Sequence, residues 1–306
     1  MLPRRSDYDV TNTINTTSPT AVHDSVIKIF HDLYPRASYD LIDRAFCDIE
    51  HLFQGDYPGF FSCETRYHNL QHTLEVALAT TRLISGHEKS CAKADRLGPE
   101  KARLGIIVAL FHDAGYIRHT SDTDVEHGAQ LTPIHVERGA SFIRDYFPLI
   151  GLTRFINTAR KLIHHTGYEL DINTLHFRSP KLHTLGHIIG SADLIAQMAD
   201  RRYLEKCRDF LYHEFVLGGL DKHTTEDGNS VLLYVSAEDM LHKTPLFYQK
   251  VITKRLNVSF QSAYKYAEVH FGSSNLYMDW IKKNMTFLAQ LIEEKDFSKL
   301  KRDSTG

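Results

Sequence analysis

A histidine and an aspartate stand side by side at the end of an apolar run, and such a pair could bind a metal ion. The run Leu104-Gly-Ile-Ile-Val-Ala-Leu-Phe leads directly into His112-Asp113, and Ala114 and Gly115 follow. Imidazole and carboxylate groups both suit Zn, Fe, Mn or Ni, so an adjacent pair can hold one divalent ion or bridge two. This interpretation requires further ligands at suitable spacings elsewhere in the chain.

Histidines are concentrated around this pair. The chain has 19 histidines, and twelve of them lie between His68 and His187. Because His68 and His72 are four residues apart, both would lie on one face of a helix. Three more histidines lie near predicted helix ends: His135, His164 and His165. Their position around the His-Asp pair indicates a shared site.

One further carboxylate, Asp193, lies in the otherwise apolar stretch Ile188-Ile-Gly-Ser-Ala-Asp-Leu-Ile. A buried carboxylate is costly unless it is paired or bound to a metal ion. The alternative to a metal-binding role is a salt bridge to Arg201 or Arg202. With Asp193 included, the ordered series of His, His-Asp, His, His-His and Asp predicts a metal-binding site.

The composition excludes several classes of protein. A net charge of −2 argues against a general nucleic-acid binder. The cysteines have no C-x-x-C spacing, which predicts reduced thiols and neither a disulfide framework nor a zinc knuckle. No apolar stretch approaches the roughly 18 residues of a membrane span, and no signal-peptide apolar region follows the N-terminus. We therefore expect a cytoplasmic protein that does not bind membranes.

Helical periodicity dominates from residue 21 onward, so the predicted fold class is all-α. Residues 1–20 are polar and predicted to be disordered. A helical bundle is expected over 21–220, with a C-terminal helical extension over 221–306 packed on it. In the second half, helices are predicted at 150–165, 181–199, 200–217, 236–242, 246–256, 259–270 and 276–294. Only the run 231–235 is typical of a strand.

The candidate ligands lie at the ends of predicted helices. One helix over 70–85 begins directly after His68, and a second, with Pro99 in its first turn, carries the run that ends at His112. Thr132 is the predicted N-cap of the next helix, with a proline at its first helical position. A long polar loop over 115–130 separates these helices.

The series of ligands resembles the metal-binding pattern of the HD-domain metal-dependent phosphohydrolases, over roughly residues 60–200. Within it, Tyr67-His68-Asn69-x-x-His72 resembles the opening motif of the cyclic-nucleotide phosphodiesterases. In that group, the histidine after the tyrosine is the general acid and the histidine four residues later is a metal ligand. The resemblance therefore implies that His68 is the acid and that His72 binds metal.

The same resemblance implies the other ligands and an HD-domain helical bundle. The positions that match the core ligand set are His72, His112, Asp113 and Asp193. Asp113 would bridge two ions and thereby take part in catalysis. The HD-GYP cyclic-dinucleotide phosphodiesterases have added histidines, and the similar positions here are His135 and the pair His164-His165. His135 and one histidine of that pair would hold the second metal ion. The implied cofactors are two divalent ions among Mn, Fe, Ni, Zn and Mg.

The implied activity is a phosphodiesterase that cleaves a nucleotide-like, cyclic or linear, phosphate ester with a metal-activated water. The expected partner is a small phosphorylated substrate, and self-association is compatible with this role. Tyr116 stands where the animal-type phosphodiesterases have histidine and the HD-GYP group has lysine. Tyr116 and Arg118 begin the loop after the metal pair and are candidates for substrate contact.

Two other functions stay open on the same pattern. The first is a mixed-valent diiron oxygenase on the same scaffold, because the added histidines also suit that chemistry. The second is a catalytically silent module that binds a nucleotide. Some charged side chains near the motifs are expected to be solvated, among them Glu137, and the group Tyr212-His213-Glu214 has no spacing that connects it to the site.

Overall fold

The computed structural model describes residues 4–224 and 230–301, and the fold class is all-α, as the sequence predicts. Two short strands, β1 (Lys222–Thr224) and β2 (Ser230–Leu232), form an antiparallel pair. The α-helices are α1 (Pro19–Leu33), α2 (Asp40–Gln54), α3 (Leu70–Ser90), α4 (Gly98–Leu110), α5 (His135–Tyr146), α6 (Ile156–Ile163), α7 (Pro180–Ala199), α8 (Tyr203–Lys206), α9 (Tyr212–Leu217), α10 (Ala237–Lys250), α11 (Tyr266–Phe271) and α12 (Leu276–Glu294). None of these described helices combines the length and apolar composition that crossing a bilayer requires.

Helix α3 is the centre of the bundle. It packs against α1, α4, α7 and α11, and nearly every side chain from His72 to Glu88 is buried. A helix enclosed on all sides needs apolar or small residues around its whole circumference, which the sequence of α3 supplies. Asn69 caps its start, where the Asn69 Oδ1 accepts the backbone N–H of His72 at 3.1 Å. This cap fixes where the helix begins, and hence where the first histidines lie.

The C-terminal helices complete the same core. Helix α11 packs on α3 and α12 packs on α7, and their residues Ala267, Ile281 and Leu288 are buried in one apolar cluster with the rest of the bundle. Helix α10 runs through Pro245 and continues in π-helical turns over Val251–Ser259. The two helices predicted at 236–242 and 246–256 are therefore one continuous helical segment.

The N-terminal segment corrects the expected disorder of residues 1–20. Arg4 is buried, and its Nη1 donates a hydrogen bond to the carbonyl oxygen of Ala199 at 2.6 Å. Asp9 is also buried, where it forms an ion pair with Arg82 of α3. A polar segment stays disordered when its polar groups find no partners in the fold. Because Arg4 and Asp9 have such partners, this segment is ordered. Residues before Arg4 lie outside the described part of the chain.

Candidate metal centre

Four of the sequence-predicted ligands meet in the interior of the bundle. The His72 Nε2 lies 3.5 Å from the Asp113 Oδ2 and 3.3 Å from the Asp193 Oδ1. The His112 Nε2 lies 3.2 Å from the same Asp113 oxygen and 3.7 Å from the same Asp193 oxygen. All four residues are buried. We call these four residues the His–Asp cluster; three of them, His72, His112 and Asp113, form a group that could hold a metal ion.

Three structural elements bring the His–Asp cluster together. Helix α3 carries His72 in its first turn, and α7 carries Asp193 near its middle. Helix α4 ends at Leu110, and the turn that follows presents His112 and Asp113. Gly115 makes this turn possible, because a Cβ there would lie 1.8 Å from the carbonyl oxygen of His135. The glycine therefore lets α5 begin directly against the turn.

Two atoms of the cluster lack the partners that buried polar atoms normally have. The His112 Nδ1 donates to the carbonyl oxygen of Ala109 at 2.7 Å, so in the neutral ring the Nε2 carries the lone pair. Among the described residues, neither that Nε2 nor the Asp113 Oδ2 beside it has a hydrogen-bond partner. A lone pair that faces a carboxylate oxygen needs a cation between them or a proton on the ring. These residues therefore fit a divalent cation, with the second ring nitrogen oriented by a carbonyl as metal-binding histidines usually are.

The electrostatics of the cluster also favour positive charge. Burial alone would lower the pKa of His112, but Asp113 and Asp193 outweigh it and raise that pKa to about 9. Burial alone would raise the pKa of Asp113, but His112 and the other imidazoles lower it well below its usual range. Two carboxylates in a dry site thus attract either protons or a metal ion. Arg202, one of the two partners considered for a salt bridge with Asp193, pairs with Asp7.

His135 extends the cluster on the side of the second Asp113 oxygen. Its Nε2 lies 4.0 Å from the Asp113 Oδ1, and its Nδ1 donates to the carbonyl oxygen of Thr132 at 2.6 Å. Burial lowers the pKa of His135, which keeps the ring neutral and able to act as a ligand. Asp113 thus faces imidazoles from both of its oxygens.

His164 and His165 have different surroundings. The His164 Nδ1 lies 2.7 Å from the Glu169 Oε1, and its Nε2 lies 3.5 Å from the Glu137 Oε2. The His165 ring instead packs against Phe260 in the core, and burial lowers its pKa to about 3. The structure does not bring His165 to the His–Asp cluster, which corrects its inclusion as an alternative ligand. His164 is the member of the pair that lies beside carboxylates, those of Glu137 and Glu169.

His68 forms a buried pair with a glutamate that sequence reasoning did not connect to the site. The His68 Nδ1 lies 2.7 Å from the Glu214 Oε2, and a second Glu214 oxygen accepts the backbone N–H of Tyr67 at 2.6 Å. Burial alone would lower the pKa of His68, but the hydrogen bond to Glu214 and its charge raise it. Glu214 therefore orients His68 and favours its protonated form, leaving Nε2 for chemistry.

Tyr116 lies between two histidines of the site. Its ring stacks on His68 with centroids 4.4 Å apart and on His135 at the same distance. The tyrosine is 2 % exposed, and burial raises the pKa of its hydroxyl well above the usual value. Tyr116 thus holds the rings of His68 and His135 apart.

Arg118 does not reach the site, which corrects its prediction as a substrate contact. Its Nε and Nη2 donate to the two carboxylate oxygens of Glu64 at 2.8 and 2.7 Å, and its Nη1 donates to the carbonyl oxygen of Val125. All three guanidinium nitrogens therefore have hydrogen-bond partners, Val125 within the loop and Glu64 before α3. The guanidinium fastens this loop to the segment before α3.

A cavity of about 440 Å³ lies next to the His–Asp cluster. His68, Asp113, His135 and Asp193 line it, together with Glu137 and Glu169. The rest of its lining includes apolar side chains from the segment between Tyr203 and Phe247. The size falls within the range of about 300–1,000 Å³ that is usual for small-molecule sites. The cluster is therefore accessible to a small substrate.

Comparison with known proteins gives one finding. A family model described as Npun_R2479-like matches residues 120–282, slightly more than half of the chain. The matched range contains His135, His164 and Asp193 but begins after the His-Asp pair. No curated protein and no solved structure matches the chain.

Proposed function

The chain belongs to the Npun_R2479-like family, and we propose that it is a metal-dependent phosphohydrolase of the HD-domain kind that acts as a phosphodiesterase. The observation that carries this proposal is the His–Asp cluster. Two of its buried atoms, the His112 Nε2 and the Asp113 Oδ2, lie 3.2 Å apart and have no hydrogen-bond partner among the described residues while the imidazole is neutral. A divalent ion bound there would supply Lewis-acid chemistry, which activates water as a nucleophile and stabilises charge on a phosphate ester.

The residues beside the cluster supply the proton that ester cleavage requires. When the bond from phosphorus to the leaving oxygen breaks, that oxygen needs a proton to leave as an alcohol. His68 holds one for this purpose on Nε2, because Glu214 binds Nδ1 and favours the protonated ring. The stacked ring of Tyr116 excludes water from one face of His68 and keeps the imidazole aligned. His68 is thus the proposed general acid, and Glu214 its positioning residue.

The added ligands support a second ion beside the first. The His135 Nε2 faces the Asp113 oxygen that the His–Asp cluster does not use. Glu137 lines the same cavity, and its Oε2 lies 3.5 Å from the Nε2 of the buried His164, so a carboxylate and an imidazole adjoin there. We therefore propose that His135 and His164 bind the second ion, with Asp113 between the two.

The test separates the proposed acid from the proposed ligands. We expect the purified protein, supplied with Mn, Ni or Zn, to release nitrophenol from bis-nitrophenyl phosphate. His68→Ala should retain the bound metal and lose about 100-fold or more in turnover, in line with the loss of a general acid. Asp113→Ala should lose both metal and turnover. Metal content, measured by mass spectrometry of the desalted protein, distinguishes the two variants.

The matched control is His213→Ala, because His213 is exposed and adjacent to Glu214 in sequence. Its metal content and turnover should equal those of the unmodified protein. Equal metal loss in the His68 and Asp113 variants would make His68 a ligand and require another acid. Absence of hydrolysis with every metal and every phosphate ester would reject the proposed function.

The second candidate is a mixed-valent diiron oxygenase, which the position of His135 also favours. Its Nε2 lies 4.0 Å from the Asp113 Oδ1, so Asp113 could bridge two irons as readily as two other divalent ions. The two functions differ in their metal and their second substrate. Bound iron together with dioxygen consumption would establish the oxygenase and exclude the hydrolase.

A further inference from the structure

The lining of the cavity consists of two chemically different groups of residues. The first group surrounds the His–Asp cluster and is acidic: four carboxylates line this part, from Asp113, Glu137, Glu169 and Asp193. The second group comes from the segment that runs from the end of α8 through α10 and is mainly apolar. Its main apolar members are Leu211, Phe215, Leu220, Tyr234, Met240 and Phe247. We call these six residues the apolar wall.

Positive charge is scarce in this cavity. Among the lining residues in the described part of the chain, Lys243 is the only lysine or arginine. Its Nζ is fixed by hydrogen bonds to the Asp239 Oδ2 at 2.8 Å and to the carbonyl oxygen of Leu233 at 2.7 Å. An anionic group of a ligand therefore finds its attraction at the metal centre, and a second anionic group would meet apolar side chains, carboxylates or a Lys243 that already pairs with Asp239. Such a group would lose its hydration without gaining a partner.

From this distribution of charge we infer that the substrate has a single phosphate group and an apolar organic group, which lies against the apolar wall. This inference rests on the proposed function, and it narrows the substrate class. A compound with one phosphate on an aromatic or aliphatic group matches both parts of the cavity. A cyclic dinucleotide or a polyphosphate does not, because its second phosphate would face the apolar wall.

Chain connectivity explains why the two groups adjoin. Glu214 pairs with His68 at 2.7 Å, so α9 is fastened to the metal centre by a buried hydrogen bond. Phe215 follows Glu214 directly, and α10 packs on the helical turns just before α9. Through these contacts, the residue that orients the proposed acid also places the apolar wall. The wall is therefore built at a fixed position relative to the reacting phosphate.

The first test measures binding and does not need turnover. Isothermal titration with the Mn-loaded protein compares phenylphosphonate with methylphosphonate, which share the anionic group and differ in the organic one. We expect phenylphosphonate to bind about tenfold more tightly or better, because burial of a phenyl-sized apolar surface is favourable by that order. A carboxylate on the phenyl ring, in 4-carboxyphenylphosphonate, should remove most of this gain.

The second test assigns the preference to the apolar wall. Phe247→Ala should reduce the preference for phenylphosphonate to about threefold or less, while methylphosphonate binds as before. Phe155→Ala is the matched control, since Phe155 is also a half-buried phenylalanine but does not line the cavity. The Phe155 variant should keep the full preference.

The outcomes separate this inference from the proposed function. Equal binding of the two phosphonates to the unmodified protein would overturn the inference, whether or not any ester is hydrolysed. If esters are hydrolysed but those with apolar groups have no advantage in kcat/KM, the hydrolase function stands and the inference falls. If phenylphosphonate binds more tightly and no ester is hydrolysed, the apolar ligand preference stands and the hydrolase function falls.

Discussion

Helix α3 contacts two buried polar clusters that are completed in different ways. In the first turn, His72 belongs to the His–Asp cluster. Ten residues later Arg82 forms the second cluster, which we call the arginine cluster: it pairs with Asp9, and its Nη1 donates to the Tyr277 hydroxyl at 3.0 Å. Asp9 also accepts the backbone N–H of Ile14 at 2.9 Å. The arginine cluster thus matches its carboxylate with a cation from the chain itself.

The His–Asp cluster has no lysine or arginine among its four residues. Its two carboxylates face imidazoles, and the Asp113 Oδ2 has no hydrogen-bond partner among the described residues. Buried polar networks in folded proteins are normally satisfied, and exceptions point to a ligand or to function. The contrast teaches that burial of charge alone does not identify a functional site. What identifies it is burial of charge that the chain leaves unmatched.

The largest expected effect concerns the arginine cluster. Asp9→Asn would leave the Arg82 guanidinium buried without a carboxylate, and breaking a buried pair in this way costs about 3–5 kcal/mol. We expect urea denaturation to show a loss of this size in the free energy of unfolding. Turnover per folded molecule should stay within about twofold of the unmodified protein, because Asp9 is remote from the site residues.

Asp113→Asn is the matched variant in the His–Asp cluster, since Asp113 is equally buried. With a chelator present, its loss of stability should be smaller than that of Asp9→Asn, because the His112 imidazole can lose its proton, which the Arg82 guanidinium cannot, and Asp193 still faces both His72 and His112. Metal binding should nevertheless be lost. An equal loss of stability in the Asp9 and Asp113 variants would show that both clusters are structural and would remove the distinction drawn here.

The next effect concerns the residue that positions the proposed acid. Glu214→Gln should retain metal and lose about 10–100-fold in kcat, the usual range for a residue that orients another side chain at a metal site. Because Glu214 raises the pKa of His68, its removal should also shift the alkaline limb of the kcat profile to lower pH. A merely structural role would lower kcat without moving that limb.

A smaller effect is the pH dependence of the arginine cluster. Burial alone would raise the pKa of Asp9, but Arg82 and the N–H of Ile14 outweigh it and lower that pKa. The carboxylate therefore adds stability above its unfolded pKa of about 3.9, and this is lost as pH falls through the lower folded pKa. The difference in unfolding free energy between the unmodified protein and Asp9→Asn should be constant at neutral pH and shrink below about pH 4. A difference in unfolding free energy that stays constant down to pH 3 would mean that the Asp9 carboxylate is not the source of this stability.

Local patterns in the sequence predicted a large part of this molecule. Helical periodicity predicted the all-α fold, and the spacing of histidines at helix ends predicted the residues that form the His–Asp cluster. Both patterns, the helical periodicity and the position of a histidine at a helix end, can be recognised within a few consecutive residues. Asp193 could be predicted as a ligand from local sequence too, because a lone carboxylate in an apolar helix requires a partner or a metal ion.

The features that could not be predicted depend on contacts between distant segments. Glu214 is 146 residues from His68, and its own surroundings predict only an amphipathic helix. His164 and His165 are adjacent, so only the orientation at the end of α6 decides which of them pairs with Glu137 and Glu169, two residues that line the cavity. Residues 4–18 have a polar composition typical of disorder, yet Arg4 and Asp9 have partners on other helices. In each case tertiary pairing overrides the local composition.

The smallest expected effect concerns Arg118, and its measurement tests whether this residue lies outside the site. Arg118→Ala removes a guanidinium that the sequence suggested for substrate contact and that the structure pairs with Glu64. Because this pair is partly exposed, its loss should cost about 1 kcal/mol or less in stability. The KM for bis-nitrophenyl phosphate and the affinity for phenylphosphonate should both stay within about twofold. A tenfold rise in KM at unchanged metal content would instead mean that the loop turns Arg118 toward the substrate, and the cavity would then possess a mobile cation for a second anionic group.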